Sequence, residues 1–121
     1  MPERDLLIIL DDILKAINLI EQYTNDLSIG EFQKDTKTRD ATLRNLEIIG
    51  EACKLVPETI KDRYNEIPWK KIIGLRNIVL HKYFGVDLDL IWYIITIQLP
   101  ELKHEIYLVR DAINNNTGNL P

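Results

Sequence analysis

"KTRDATLRNLEIIGEACKLV", residues 37–56, decides the fold. Wound at about 100° per residue, it gathers Lys37, Asp40, Arg44, Glu47, Glu51 and Lys54 into one narrow polar stripe. Leu43, Leu46, Ile49, Gly50 and Cys53 lie to one side of that stripe, and Ala41, Ile48, Ala52 and Leu55 to the other. A helix apolar over most of its circumference must be packed on several sides, so this one is central. Its stripe either faces solvent as a ladder of ion pairs, Asp40 with Arg44 and Glu47 with Lys54, or lines a cleft. Glu47 and Glu51 sit one turn apart with no histidine near them in sequence, which argues against a metal site.

Helical signals continue outward in both directions. From Glu3 to about Asn25, Leu6, Ile9, Leu10, Ile13, Ala16, Ile17, Ile20 and Tyr23 recur at spacings that make one apolar face. Ser28 with Glu31 matches a capping box and opens a short helix through "EFQKD". Thr36 is a candidate cap for the central helix, which stops before Pro57. Pro57 and Pro68 stand where first helical turns begin. The segment from Pro68 reads as a continuous helix to Gly85, a left-handed terminator. Asp87 caps a last helix, kinked or split by Pro100 and ending near Ile113, with 113–121 as a frayed tail. "IWYIITI" has strand propensity but no second strand to pair with. The expectation is an all-α, up-and-down bundle of four to five helices, forming a single domain over 1–121.

Composition is that of a soluble globular chain, with 45% hydrophobic and 28% charged residues. The apolar runs "LLIIL" and "LIWYIITI" fall far short of the roughly 20 residues a membrane span needs. No basic region with a following apolar stretch opens the chain, so the expected location is the cytoplasm. A lone Cys53 excludes an internal disulfide, and with two scattered histidines it argues against zinc. Net charge is −4, yet Lys61, Arg63, Lys70, Lys71, Arg76 and Lys82 face only Asp62 and Glu66 in 61–82, a local +4. Such a segment on an acidic body suits a phosphate-bearing partner or, equally, a solvated face.

Within 68–84, taken as one helix, Trp69, Ile72, Ile73, Val79, Leu80 and Tyr83 fall within about 60° of Arg76. That puts Arg76 in the middle of an apolar arc, where it needs a carboxylate from a neighbouring helix or an anionic ligand. Lys70, Asn77 and His81 form a second, basic and hydrogen-bonding face, with Lys71 and Lys82 beyond. A lone histidine at the edge of an apolar face suits a satisfied structural role, while arginine with histidine is also the equipment of metal-free RNA cleavage. His81 would move the proton of a ribose 2′-hydroxyl, and Arg76 would hold phosphate oxygens as charge builds on them. On an ideal helix Arg76 and His81 diverge by about 140°. A site built across a two-fold dimer, which would also supply a second histidine, answers that divergence.

At this point two blocks, "TRDATLRNLEIIGEACKLVPE" (38–58) and "IPWKKIIGLRNIVLHKYFGVDLDLIW" (67–92), closely resemble the HepT-type proteins of the HEPN helical superfamily. Arg76 and His81 match that family's Arg–four residues–His motif, and Tyr83 its His-x-Tyr extension. The resemblance implies a HEPN-like bundle dimerising around the cleft, and a cofactor-free, metal-independent endoribonuclease toxin of a type VII-like toxin–antitoxin pair. It implies Arg76 and His81 as catalytic residues. It also implies an MntA-type minimal nucleotidyltransferase antitoxin that silences the toxin by transferring AMP from ATP to Tyr83. The added charge and bulk would repel and block RNA. Asn77 is then a candidate to orient His81 or touch phosphate. Lys70, Lys71, Lys82, Arg44, Glu47 and Glu51 are candidate cleft or RNA contacts, with the two glutamates also able to pair with Arg76. The competing reading is a non-catalytic helical partner that helps a nucleotidyltransferase hold its substrate.

Overall fold

The computed structural model describes residues 2–80, 85 and 87–118, with side chains except at 79, 80 and 116–118. Among them the chain is all-α, with no strand. Helix α1 (Glu3–Thr24) buries Leu6, Ile9, Leu10, Ile13, Leu14, Ala16, Ile17 and Ile20, as its period requires. Tyr23, expected on that face, is partly exposed. Helix α2 (Ile29–Lys34) opens on the Ser28–Glu31 capping box. Ser28 Oγ accepts from the Glu31 N–H at 3.2 Å, and Glu31 Oε1 accepts from the Ser28 N–H at 3.0 Å. Hydrogen bonding from the Ser28 backbone N–H, with a smaller contribution from the Ser28 hydroxyl, holds the Glu31 carboxyl below its usual pKa.

Helix α3 (Thr36–Leu55) is capped one residue earlier than expected. Asp35, not Thr36, is the cap. Its carboxylate accepts from the Thr38 N–H at 3.1 Å and from the Thr38 hydroxyl at 2.7 Å, which lowers its pKa. Extended backbone at Asp35 aims that carboxylate at the free N–H groups of the first turn, whereas Thr36 is already helical. Helix α4 (Glu58–Arg63) and helix α5 (Trp69–Ile73) take Pro57 and Pro68 as N-caps rather than as first-turn residues. Helix α6 (Leu75–Leu80) follows after a turn at Gly74.

Helix α7 (Leu88–Tyr93) is capped by Asp87, whose carboxylate accepts from the Leu90 N–H at 3.1 Å. A π-helical turn, Ile94–Gln98, then leads into helix α8 (Leu99–Gly118). Pro100 has no N–H for the carbonyl four residues back, and its ring crowds that position. The chain absorbs the misfit with one wider turn, in which the Leu99 N–H bonds the Ile94 carbonyl, instead of breaking. Helix α8 runs to Gly118, past the end expected near Ile113.

Helix α3 is the hub. It packs against α1, α2, α5 and α6, while α8 packs on α1 and continues the α7 unit. Leu43, Leu46, Ile49 and Cys53 of α3 join Leu10, Ile13 and Ile17 of α1 and Leu102, Ile106 and Val109 of α8 in one buried cluster. The Lys103–Glu21 pair at 2.9 Å and the Arg110–Asp11 pair tie α8 to α1 at its margin. No described helix is long and apolar enough to cross a membrane.

Candidate active site

Two residues of α3 hold the start of α6. A Cβ built on Gly50 would stand 3.2 Å from the Ile72 carbonyl oxygen, 3.3 Å from that of Ile73 and 3.4 Å from the Arg76 nitrogen. These contacts are tighter than ordinary packing, so a methyl group would need the neighbouring backbone to give way, and with glycine here the backbones of α3 and of the α5–α6 elbow approach closely. The next residue, Glu51, takes the side chain: Arg76 Nη1 donates to Glu51 Oε1 at 2.9 Å.

This corrects the reading of 68–84 as one helix with Arg76 in mid-apolar arc. Gly74 makes a turn between α5 and α6, with its carbonyl accepting from both the Asn77 N–H at 3.0 Å and the Ile78 N–H at 3.4 Å. Among the described side chains of the segment, Trp69, Ile72 and Leu75 are buried and Ile73 and Ile78 partly buried against the core, while Arg76 is exposed. The Arg76 side chain is 47% exposed and that of Glu51 46%. An ion pair this open contributes about 0–1 kcal/mol, so its consequence is geometric rather than stabilising.

A family model described as "Ribonuclease HepT-like" matches residues 13–109. The chain belongs to this HepT-like family. The HepT-like chain is 41% identical over 116 residues to a Methanocaldococcus jannaschii protein named "Gamma-glutamylcyclotransferase and putative RNase". That match takes 96% of this chain and 52% of the relative, so the chain spans about half that relative's length. It is 41% identical over 101 residues to the "Probable ribonuclease HepT" of Thermococcus cleftensis, covering 84% of this chain and 92% of that one. The "mRNA nuclease HepT" of Shewanella oneidensis is 25% identical over 122 residues, covering 81% and 90%. No solved structure shows a significant match.

The expected site residues of this HepT-like chain divide into three groups. Arg44, Glu47 and Glu51 line one groove between α1 and α3, of about 840 Å³, with Arg44 Nη1 3.5 Å from Glu47 Oε2. Glu51 also pairs with Arg76, which does not line this groove, and Asn77 follows Arg76, exposed, on α6. Lys70 and Lys71, also exposed, line other hollows. Lys71 shares a cavity of about 330 Å³ with Glu66, Glu101 and Glu105. There burial, reinforced by Glu101 and Glu66, pushes the Glu105 carboxyl above its usual pKa. The basic segment is therefore not one basic face. His81, Lys82 and Tyr83 lie outside the described residues.

Sequence reasoning missed two contributions. Asp12 and Lys15 of α1 line the Arg44–Glu51 groove, and their polar positions beside the α1 stripe were a usable signal. Gly50 was read only as part of an apolar side. Nothing local marks it as the seat of a helix 22 residues onward in the chain.

Proposed function

We propose that this HepT-like chain is the endoribonuclease toxin of a toxin–antitoxin pair, acting in the cytoplasm as a homodimer without a metal ion. Arg76 and His81 are its catalytic residues. The substrate's own 2′-oxygen attacks phosphorus as His81 takes its proton, and the P–O5′ bond breaks with the 5′-oxygen gaining a proton. Arg76 donates to the non-bridging oxygens as negative charge develops on them. The dimer supplies a second Arg76–His81 set facing the first, so acid and base are both histidines. The products are a 2′,3′-cyclic phosphate and a 5′-hydroxyl.

The observation that carries this reading is the exposed Arg76 guanidinium in a chain whose family is named for ribonucleases. A structural arginine buried in the core would have all its donors consumed by protein. Here one Nη is engaged by a carboxylate, and the side chain is half in water. A guanidinium has five N–H donors and can meet a phosphate with two of them at once.

Silencing follows from the same site. Tyr83 stands two residues beyond His81, and we assign it as the position to which an MntA-type nucleotidyltransferase transfers AMP: the Tyr83 oxygen, giving up its proton, bonds the α-phosphorus of ATP as the bond to the β-phosphate breaks and pyrophosphate leaves. The phosphodiester so formed brings negative charge and a nucleoside next to a cleft that must accept RNA phosphate. Asn77, Lys82 and Arg44 are assigned to contacts with the RNA backbone.

Inducible expression in a host without the antitoxin tests this proposal. Wild type is expected to arrest growth, and His81→Ala and Arg76→Ala to permit it at equal protein level. Growth arrest by all three would remove both residues from the mechanism.

A further inference from the structure

We infer that Glu51 is the positioning residue for Arg76 in RNA cleavage, an inference that rests on the ribonuclease reading above. Two contacts meet at one point of α3. The Gly50 backbone seats the Arg76 backbone, with 3.4 Å from the Gly50 Cβ position to the Arg76 nitrogen. The Glu51 carboxylate then takes Nη1 of the same arginine at 2.9 Å. Main chain and side chain of Arg76 are thus fixed by consecutive residues.

An arginine is otherwise poorly suited to wait in water. Its side chain has several rotatable bonds, and each must be stilled before both N–H arms can meet a phosphate. A carboxylate on one Nη fixes the plane of the guanidinium and leaves the other Nη and Nε as a fork. The contact is open to solvent on both partners, so the reason for it lies in orientation. What matters is an acceptor oxygen at that point. A glutamine in place of Glu51 retains one, and an alanine does not.

The test is steady-state cleavage of a fluorogenic RNA by full-length wild type, Glu51→Ala, Glu51→Gln, His81→Ala and, as a surface-pair control, Glu58→Ala. Glu58 pairs with Lys61 at 3.7 Å on α4. A misplaced transition-state donor acts on kcat, so Glu51→Ala should lose roughly tenfold in kcat with KM within about threefold of wild type. Glu51→Gln should recover to within about threefold, and Glu58→Ala should match wild type. Melting curves on the same samples keep folding separate from kinetics. Wild-type kcat in Glu51→Ala, a faster Glu51→Ala, or a Glu51→Gln as slow as Glu51→Ala would each overturn the inference alone. Cleavage absent from wild type, or undiminished in His81→Ala, would overturn the ribonuclease reading and this inference with it.

Discussion

The Arg76 nitrogen lies 3.4 Å from where a Cβ would project from Gly50, and the Ile72 and Ile73 carbonyl oxygens lie closer still. All three neighbours are backbone, so α5 and α6 would have to shift as a body to admit a methyl group. Gly50→Ala gains up to about 1 kcal/mol of helix propensity, against a packing cost of about 1–3 kcal/mol. A net loss of about 1 kcal/mol is expected. That should read as a fall of roughly 3–5 °C in Tm, followed by circular dichroism at 222 nm. An unchanged or raised Tm would show that the elbow yields without strain.

Thr42 should respond in the opposite direction. Its side chain is fully buried on α3, and its hydroxyl has no hydrogen-bond partner among the described residues. A buried hydroxyl left unpaired costs about 1–3 kcal/mol, and valine has nearly the same shape without it. Thr42→Val is expected to stabilise by about 1 kcal/mol in urea titration, with an unchanged m-value. Destabilisation would mean the hydroxyl has a water partner inside the bundle.

How much of this was legible beforehand depended on how local the cause was. The Ser28–Glu31 capping box, the Asp87 cap and the apolar face of α3 follow from residues within one or two turns, and all were readable. Gly74 was not, since a single glycine inside a helical pattern is compatible with a straight helix as well as with a turn. Taking 68–84 as straight rotated Arg76 into the core. Its pairing with Glu51 spans 25 positions and depends on the close approach at Gly50, which no periodicity encodes. That Arg76 needs a carboxylate from a neighbouring helix, with Glu51 among the candidates, was legible, and the 2.9 Å pair bears it out; the backbone approach that brings the two together was not. Pro100 announced a disturbance, and only the three-dimensional path shows it absorbed as a π-turn ahead of the proline.

Cys53 should be chemically silent in the folded state. Burial pushes its thiol up to about 12 from the ordinary 9.0, with Lys61 opposing more weakly. Below pH 9 both folded and unfolded chains hold the proton, and this group gives no pH dependence. Between pH 9 and about 12 the unfolded chain loses it while the folded chain retains it, so stability falls by up to about 1.4 kcal/mol per pH unit. A thiol-reactive dye at pH 8 is expected to label Cys53 only in denaturant. Rapid labelling of native protein would place the thiol within reach of water.

A dimer with paired sites predicts a solution mass near twice the 14.1 kDa protomer. Light scattering coupled to size exclusion should show it at micromolar protein. A monomer with full cleavage activity would require acid and base from a single chain and remove the second His81 from the mechanism.

The central claim is that Arg76 and His81 cleave RNA without a metal. Purified wild type, with Tyr83 shown unmodified by intact mass, should be incubated with total RNA in EDTA beside Arg76→Ala and His81→Ala. Cleavage by wild type alone, leaving 2′,3′-cyclic phosphate ends, is the predicted result. Silence from wild type across transfer, messenger and ribosomal RNA, or equal cleavage by all three proteins, would contradict it.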